Sequence, residues 1–92
     1  MADHPSAQKR HRQSERRRIR NQAIRSRLKT ELKKLLSYLE EKDVEKVRSQ
    51  FRLVKSLHQR AGAKGVIPEG RARRILSRTS AKIRQVLGFV PD

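Results

Sequence analysis

Cysteine and tryptophan are absent from this 92-residue chain, and no apolar run approaches the roughly 18 residues that a membrane span needs. Without thiols there is no disulfide framework, no thiol nucleophile and no cysteine-based zinc site, a usage that fits a reducing cytosol. The opening residues, MADHPSAQKR, lack the apolar segment of a secretory signal, so the expected location is the cytoplasm. With three aromatic residues, 34% hydrophobic residues and a mean hydropathy of −0.94, there is material for one thin core and a single domain over 1–92. Acid is scarce as well: nine Asp and Glu stand against 25 Lys and Arg, for a net charge of +16. A polyanion is the simplest relief for self-repulsion on that scale, which makes nucleic acid the first expected partner.

The charge that is present is unevenly spread. Residues 1–34 hold twelve Lys and Arg against three acids, net +9; residues 35–61 hold six against four, net +2; residues 62–92 hold seven against two, net +5. Helical periodicity follows a similar division. From Ile19 onward an apolar stripe emerges, with Ile24, Leu28, Leu32, Leu35 and Leu39 at spacings of three and four and Leu36 widening it. Asp43 offers a helix N-cap, and Val44, Val47, Phe51, Val54, His58 and Ala61 form a second stripe supported by Leu57. Gly62 and Gly65 mark its end, Pro68 suits the first turn of a third helix, and Ala72, Ile75, Leu76, Thr79, Ile83, Val86 and Leu87 form that helix's stripe before Gly88 and Pro91 stop it. No strand pattern competes, although Val66 and Ile67 can briefly be extended. The expected fold is all-α, an antiparallel three-helix bundle over 19–90, with a long basic N-terminal helix from about Pro5 to Glu41 whose first part, 1–18, overhangs as an arm. At 1.5 Å per residue such a helix is about 55 Å long.

The arm has no apolar side. Arg10, Arg12, Arg16, Arg17, Arg18, Arg20, Arg25 and Arg27 scatter around nearly the whole helical circumference. An interfacial membrane helix needs Leu, Phe or Trp on one face, and a groove-binding helix needs aliphatic anchors; neither exists before Ile19, so no membrane partner is expected. A block of like charge is commonly disordered in isolation and becomes helical when phosphates cancel the repulsion. Eight of the twelve basic residues before Leu35 are arginine, whose planar fork grips phosphate bidentately and stacks on exposed bases, which leans toward folded RNA. Arginine arms also enter DNA grooves, so a nucleoid-type or regulatory DNA-binding protein is the alternative, although no helix-turn-helix or zinc-finger punctuation is visible. A second basic cluster, Arg71, Arg74, Arg78, Lys82 and Arg84 with Ser77, Thr79 and Ser80 between them, lies on the third helix, where hydroxyls can join cations on a phosphate backbone.

Reaction chemistry finds little to work with. His4 and His11 sit seven residues apart amid positive charge, a poor place for a cation, and His58 falls on an apolar stripe, where a packing role fits better than a ligand role. Glu40, Glu41, Asp43 and Glu45 crowd a helix junction where capping and solubility explain them. AGAKG lacks the GxxxxGK[ST] spacing and the preceding strand of a phosphate loop. The expectation is no enzyme, no cofactor, no metal and no small-molecule substrate.

The run QSERRRIRNQAIRSRLKTELKKL, followed by AGAKGVI and then ARRILSR, resembles the bacterial small-subunit ribosomal proteins of the family numbered twenty, over nearly the whole chain. That resemblance implies a three-helix bundle with an extended first helix, a structural role in the small ribosomal subunit, direct binding to small-subunit (16S) ribosomal RNA, and a bridging of RNA helices during assembly with other ribosomal proteins as neighbours. Carried onto this sequence, it implies RNA-facing roles for Lys9, Arg10, Arg16, Arg17, Arg18, Asn21, Arg25, Ser26, Lys29, Thr30, Lys33, Lys34, Lys64, Arg73, Arg74, Ser77 and Arg78. The chain departs from the family at Pro68-Glu69-Gly70, where a histidine with basic or amide residues is usual. Here Glu69 suits the acidic first turn of a helix instead.

Overall fold

A computed structural model describes residues 5–92; Asp3 and His4 lie outside that range. The described residues form three helices: α1 (Pro5–Glu40), α2 (Val44–Ala63) and α3 (Glu69–Leu87). The molecule measures 62 × 22 × 15 Å with a radius of gyration of 17.7 Å. A compact chain of this length has a radius near 12 Å. The excess comes from α1, whose 36 residues run about 54 Å and outreach both partners.

Each turn is built from backbone hydrogen bonds that close the preceding helix. Asp43 N donates to Tyr38 O at 3.2 Å and Lys42 N to Leu39 O at 3.0 Å, a Schellman closure with Lys42 in the left-handed region at φ 56°. Asp43 then caps α2, accepting from Lys46 N at 3.2 Å, as the sequence leads one to expect. The α2–α3 turn repeats the motif: Val66 N donates to Ala61 O at 2.9 Å and Gly65 N to Gly62 O at 3.1 Å, with Gly65 at φ 76°. Two expectations need adjusting here. Gly62 lies inside α2, buried against Ala72 and Glu69, so of the two glycines Gly65 alone terminates the helix. Pro68 sits one residue outside α3 as its N-cap, and Glu69 begins the helix, an acid beside its positive end.

The core has two centres along the bundle. Leu35, Leu39, Val47, Phe51, Val54 and Ile83 join all three helices at one end. Leu28, Ala61, Val66, Ile67 and Ala72 close the other end, where Val66 and Ile67 of the turn pack inward beside Ile24 and Leu57. α2 is the central helix; α1 and α3 pack on it far more than on each other. Not every stripe residue is used: Ile19 is 58% exposed and Val86 37%. The first α1 side chain to reach the core is Ile24.

A polar pin reinforces the α1–α2 contact. Gln50 Nε2 donates to Glu31 O at 2.9 Å and to Glu31 Oε2 at 3.0 Å, while Lys34 Nζ donates to Glu31 Oε1 at 3.3 Å. Glu31 is only 8% exposed, and it keeps its charge because its lone pairs are taken up. The hydrogen bond from Gln50 foremost holds its carboxyl below the ordinary value, against the opposing effect of desolvation, with Lys34 and the charge of Arg27 adding to the lowering.

Candidate nucleic-acid interface

Two heptad-spaced rows of α1 carry the core face: Leu35 and Leu28 in one, Glu31 and Ile24 in the other. Continued toward the N-terminus, they become Asn21 and Ser14, and Arg17 and Arg10. The face that is apolar inside the bundle thus turns polar and basic where the bundle ends. That change falls beside the α2–α3 turn, and together they form a cleft of about 440 Å³ lined by Arg17, Arg20, Asn21, Ile24, Lys64 and Val66. Arg25 ties the two walls, its Nη2 donating to Val66 O at 3.4 Å. Three cations and an amide around one opening form a place for phosphate, since guanidinium and amide N–H groups all donate.

Away from that cleft, the basic surface follows the helix faces turned from the core. Ser26, Lys29, Thr30, Lys33 and Lys34 lie on the outer face of α1, and Arg73, Arg74, Ser77 and Arg78 on the outer face of α3; all nine are exposed. Lys9, Arg10, Arg16, Arg17, Arg18, Arg25 and Lys64 are exposed as well, and Asn21 is half-buried. The seventeen residues therefore form an outer surface, gathered at the cleft and along two helix faces, rather than one enclosed site. Arg20 joins them in the cleft and Arg71 lies on α3 near its start; both are exposed arginines that the family resemblance leaves out. Helical spacing was the available signal for Arg20, three residues from Arg17 and four from Ile24.

Acid partners are concentrated at the α1–α2 junction and the start of α2; Lys34 of α1 is also paired, to Glu31, and Arg52 and Arg60 of α2 have no acid partner among the described residues. On α2, Arg48 pairs with Glu45, Lys46 with Glu41 at 3.9 Å and Asp43 at 4.0 Å, Lys46 Nζ also lies 5.4 Å from the Tyr38 ring, and Lys55 Nζ lies 4.7 Å from the Phe51 ring. On α3, Arg71, Arg73, Arg74, Arg78, Lys82 and Arg84 make no ion pair or side-chain hydrogen bond among the described residues. Among the described residues of the α1 overhang, Arg18 alone is ion-paired, to Glu15 at 3.1 Å; this hydrogen bond and the Arg18 charge hold the Glu15 carboxyl below its ordinary range. Acids are placed to neutralise the middle of the chain and leave both outer surfaces positive. His58, buried on α2, has its Nδ1 2.9 Å from Val54 O.

Fold and surface define a class: a small helical polycation whose exposed faces are basic. The family model of ribosomal protein S20 matches residues 2–84. Small ribosomal subunit protein bS20 of Syntrophus aciditrophicus is 46% identical over 83 residues, covering 90% of this chain and 93% of that protein. The bS20 proteins of Maridesulfovibrio salexigens and Fusobacterium nucleatum are 40% and 38% identical, over 94% and 95% of this chain and 99% and 97% of their own lengths. The chain belongs to the ribosomal protein S20 family, and is thereby a structural constituent of the small ribosomal subunit and not an enzyme.

Proposed function

We propose that the chain binds 16S ribosomal RNA directly and holds together RNA helices that are distant in sequence while the small subunit assembles in the cytoplasm. In this reading residues 1–18 act as an arm laid among RNA elements and 19–90 as the body that fixes its direction. The observation that supports it is the exposed cations on the outer faces of α1 and α3, which, Arg18 and Lys34 apart, have no acid partner among the described residues, whereas on α2 Lys46 and Arg48 are paired to acids and Arg52 and Arg60 are not. Two positive faces on one rigid body are what a bridge requires, whereas a protein lying along a single duplex needs one. Arg10, Arg16, Arg17, Arg18, Asn21 and Lys64 would take RNA around the overhang and cleft; Lys29, Lys33, Arg73, Arg74 and Arg78 would take the flanking elements.

Chemical footprinting of 16S RNA with and without the protein tests this. The expected result is protection at two or more segments that are far apart in sequence, with log K falling against log salt at a slope of about −7, as neutralising about eight phosphates gives. Protection at one segment only removes the bridge, and a slope near zero removes the charge-based contact. Tighter binding to duplex DNA than to 16S RNA at moderate salt favours the DNA-binding alternative.

A further inference from the structure

α1 and α3 pack little on each other, and between them lies a groove that His58 of α2 also lines. Leu28 and Leu32 form one wall; Ile67, just before α3, and Ile75 form the other. Arg25, Lys29 and Arg71 stand at its rim. The space is about 160 Å³, well under the roughly 300–1,000 Å³ of clefts that enclose drug-sized ligands, and it has no room for a helix.

His58 is only 2% exposed. Its Nδ1 faces a carbonyl oxygen, which can only accept, so Nδ1 carries the hydrogen and Nε2 of the neutral ring is left as an acceptor. Among the described residues no donor meets Nε2. Among the described residues Arg48 Nε is the buried side-chain atom left without a partner, so His58 Nε2, which has none either, opens to the apolar slot that the ring lines and is free to accept there. A ligand that suits this place must be flat and apolar on its faces, carry an N–H on its edge, and bring negative charge to the rim. An unstacked nucleotide has all three properties: its base enters the slot, its amino edge donates to Nε2, and its flanking phosphates meet the cations.

We propose that the groove between α1 and α3 receives a single extruded RNA base, with His58 Nε2 accepting a hydrogen bond from the base edge and Arg25, Lys29 and Arg71 holding the adjacent phosphates. This rests on the RNA-binding reading above and deepens it, because it gives one position on the surface a preference for RNA geometry over charge alone.

The test uses the full chain and two RNA hairpins of equal charge, one with a single bulged 2-aminopurine nucleotide and one with an abasic bulge at the same position. The bulged base is expected to tighten binding about tenfold over the abasic control, with a change in 2-aminopurine fluorescence and a shift of the His58 ring 15N signals that the abasic hairpin does not cause. His58→Leu removes the acceptor, and Ile75→Trp fills the slot from the other wall; each is expected to abolish the tenfold preference and leave affinity for the abasic hairpin unchanged. If His58→Leu loses helicity, Ile75→Trp and the wild-type 15N shifts decide. Equal affinity for the two hairpins overturns the groove assignment while leaving general RNA binding standing. Failure of both hairpins to bind overturns the assignment and the RNA-binding reading together. Ring shifts produced by an acidic amphipathic peptide, and not by the bulged base, overturn it in favour of a protein partner.

Discussion

The two halves of α1 share one backbone helix and differ in what holds them. From Ile24 to Glu40 the helix buries Leu28, Glu31, Leu35 and Leu39 against α2 and α3. From Pro5 to Ala23 it buries none of its described side chains, and Ile19, its one large aliphatic residue, faces solvent. Helices of this length gain most of their stability from packing on an apolar face, and like charges at i,i+4 work against them. The C-terminal half is thus stabilised by packing on α2 and α3, and the described residues of the N-terminal half have no such packing. The transition is sharp because heptad rows that carry Leu and Ile inside the bundle carry Arg, Asn and Ser beyond it.

The largest effect is expected from attacking the packed half. Leu35 is fully buried where all three helices meet, so Leu35→Asp places an unpaired charge at the centre of the core. The cost is several kcal/mol, on the order of the whole stability of a small domain, and circular dichroism should show loss of cooperative unfolding. A folded, cooperative variant would mean that the two core centres support the bundle independently.

The opposite attack leaves the fold alone. Replacing Arg16, Arg17 and Arg18 together by Ala removes three exposed guanidiniums, of which only Arg18 has a partner among the described residues, so stability should move by less than about 1 kcal/mol. Affinity for 16S RNA should fall, and the salt slope should flatten by roughly 2–3 units. Amide exchange in the free protein is expected to follow the same division, slow from Leu28 onward and fast from Ser6 to Arg18. On RNA binding the fast half should become protected; protection already complete in the free chain would contradict this picture.

Within the packed half, the contribution of the polar pin is expected to depend on pH. The Glu31 carboxyl titrates below its ordinary value of 4.5 in the folded state, through the Gln50 hydrogen bond first and Lys34 second. Its stabilising contribution is therefore present above about pH 4.5 and is lost as pH falls through the lower folded value. Glu31→Gln should be less stable than wild type at neutral pH, and the gap should narrow in acid. Denaturant melts across pH 2–7 measure this; a gap that widens in acid would show the sign to be wrong.

Most of the fold was legible because it depends on local pattern. The three stripes, the Asp43 cap, Gly65 and the Gly88 stop are each written within a few residues, and the structure uses all of them. What sequence did not reveal depends on where elements come to lie against one another. Gly62 reads as a terminator, yet its position against Ala72 shows only when α3 is docked. Glu31 interrupts an apolar row between Leu28 and Leu35, a visible irregularity, but its partner Gln50 lies on another helix. Ile19 and Val86 have the right period and nothing to pack on, since period gives a face and not its length. The candidate interface was partly legible for a similar reason: exposed cations can be counted, whereas the joining of Arg17, Arg20 and Asn21 to Lys64 needs the α2–α3 turn folded back onto α1.

The smallest effect concerns the two helix closures, which are chemically unlike although geometrically alike. Gly65 occupies the left-handed position after α2 without cost, while Lys42 occupies the equivalent position after α1 with a Cβ that crowds its own carbonyl. Nothing in the α1–α2 turn requires lysine: Lys42 is exposed and makes no ion pair among the described residues. Lys42→Gly should therefore stabilise the protein, by about 0.5–1 kcal/mol after the added flexibility of the unfolded chain is offset. The loss of one positive charge works in the same direction on a body of net charge +16. Lys42→Gln separates the two contributions, since it removes the charge and keeps the Cβ. If glutamine stabilises as much as glycine does, charge repulsion and not backbone strain distinguishes the first turn from the second.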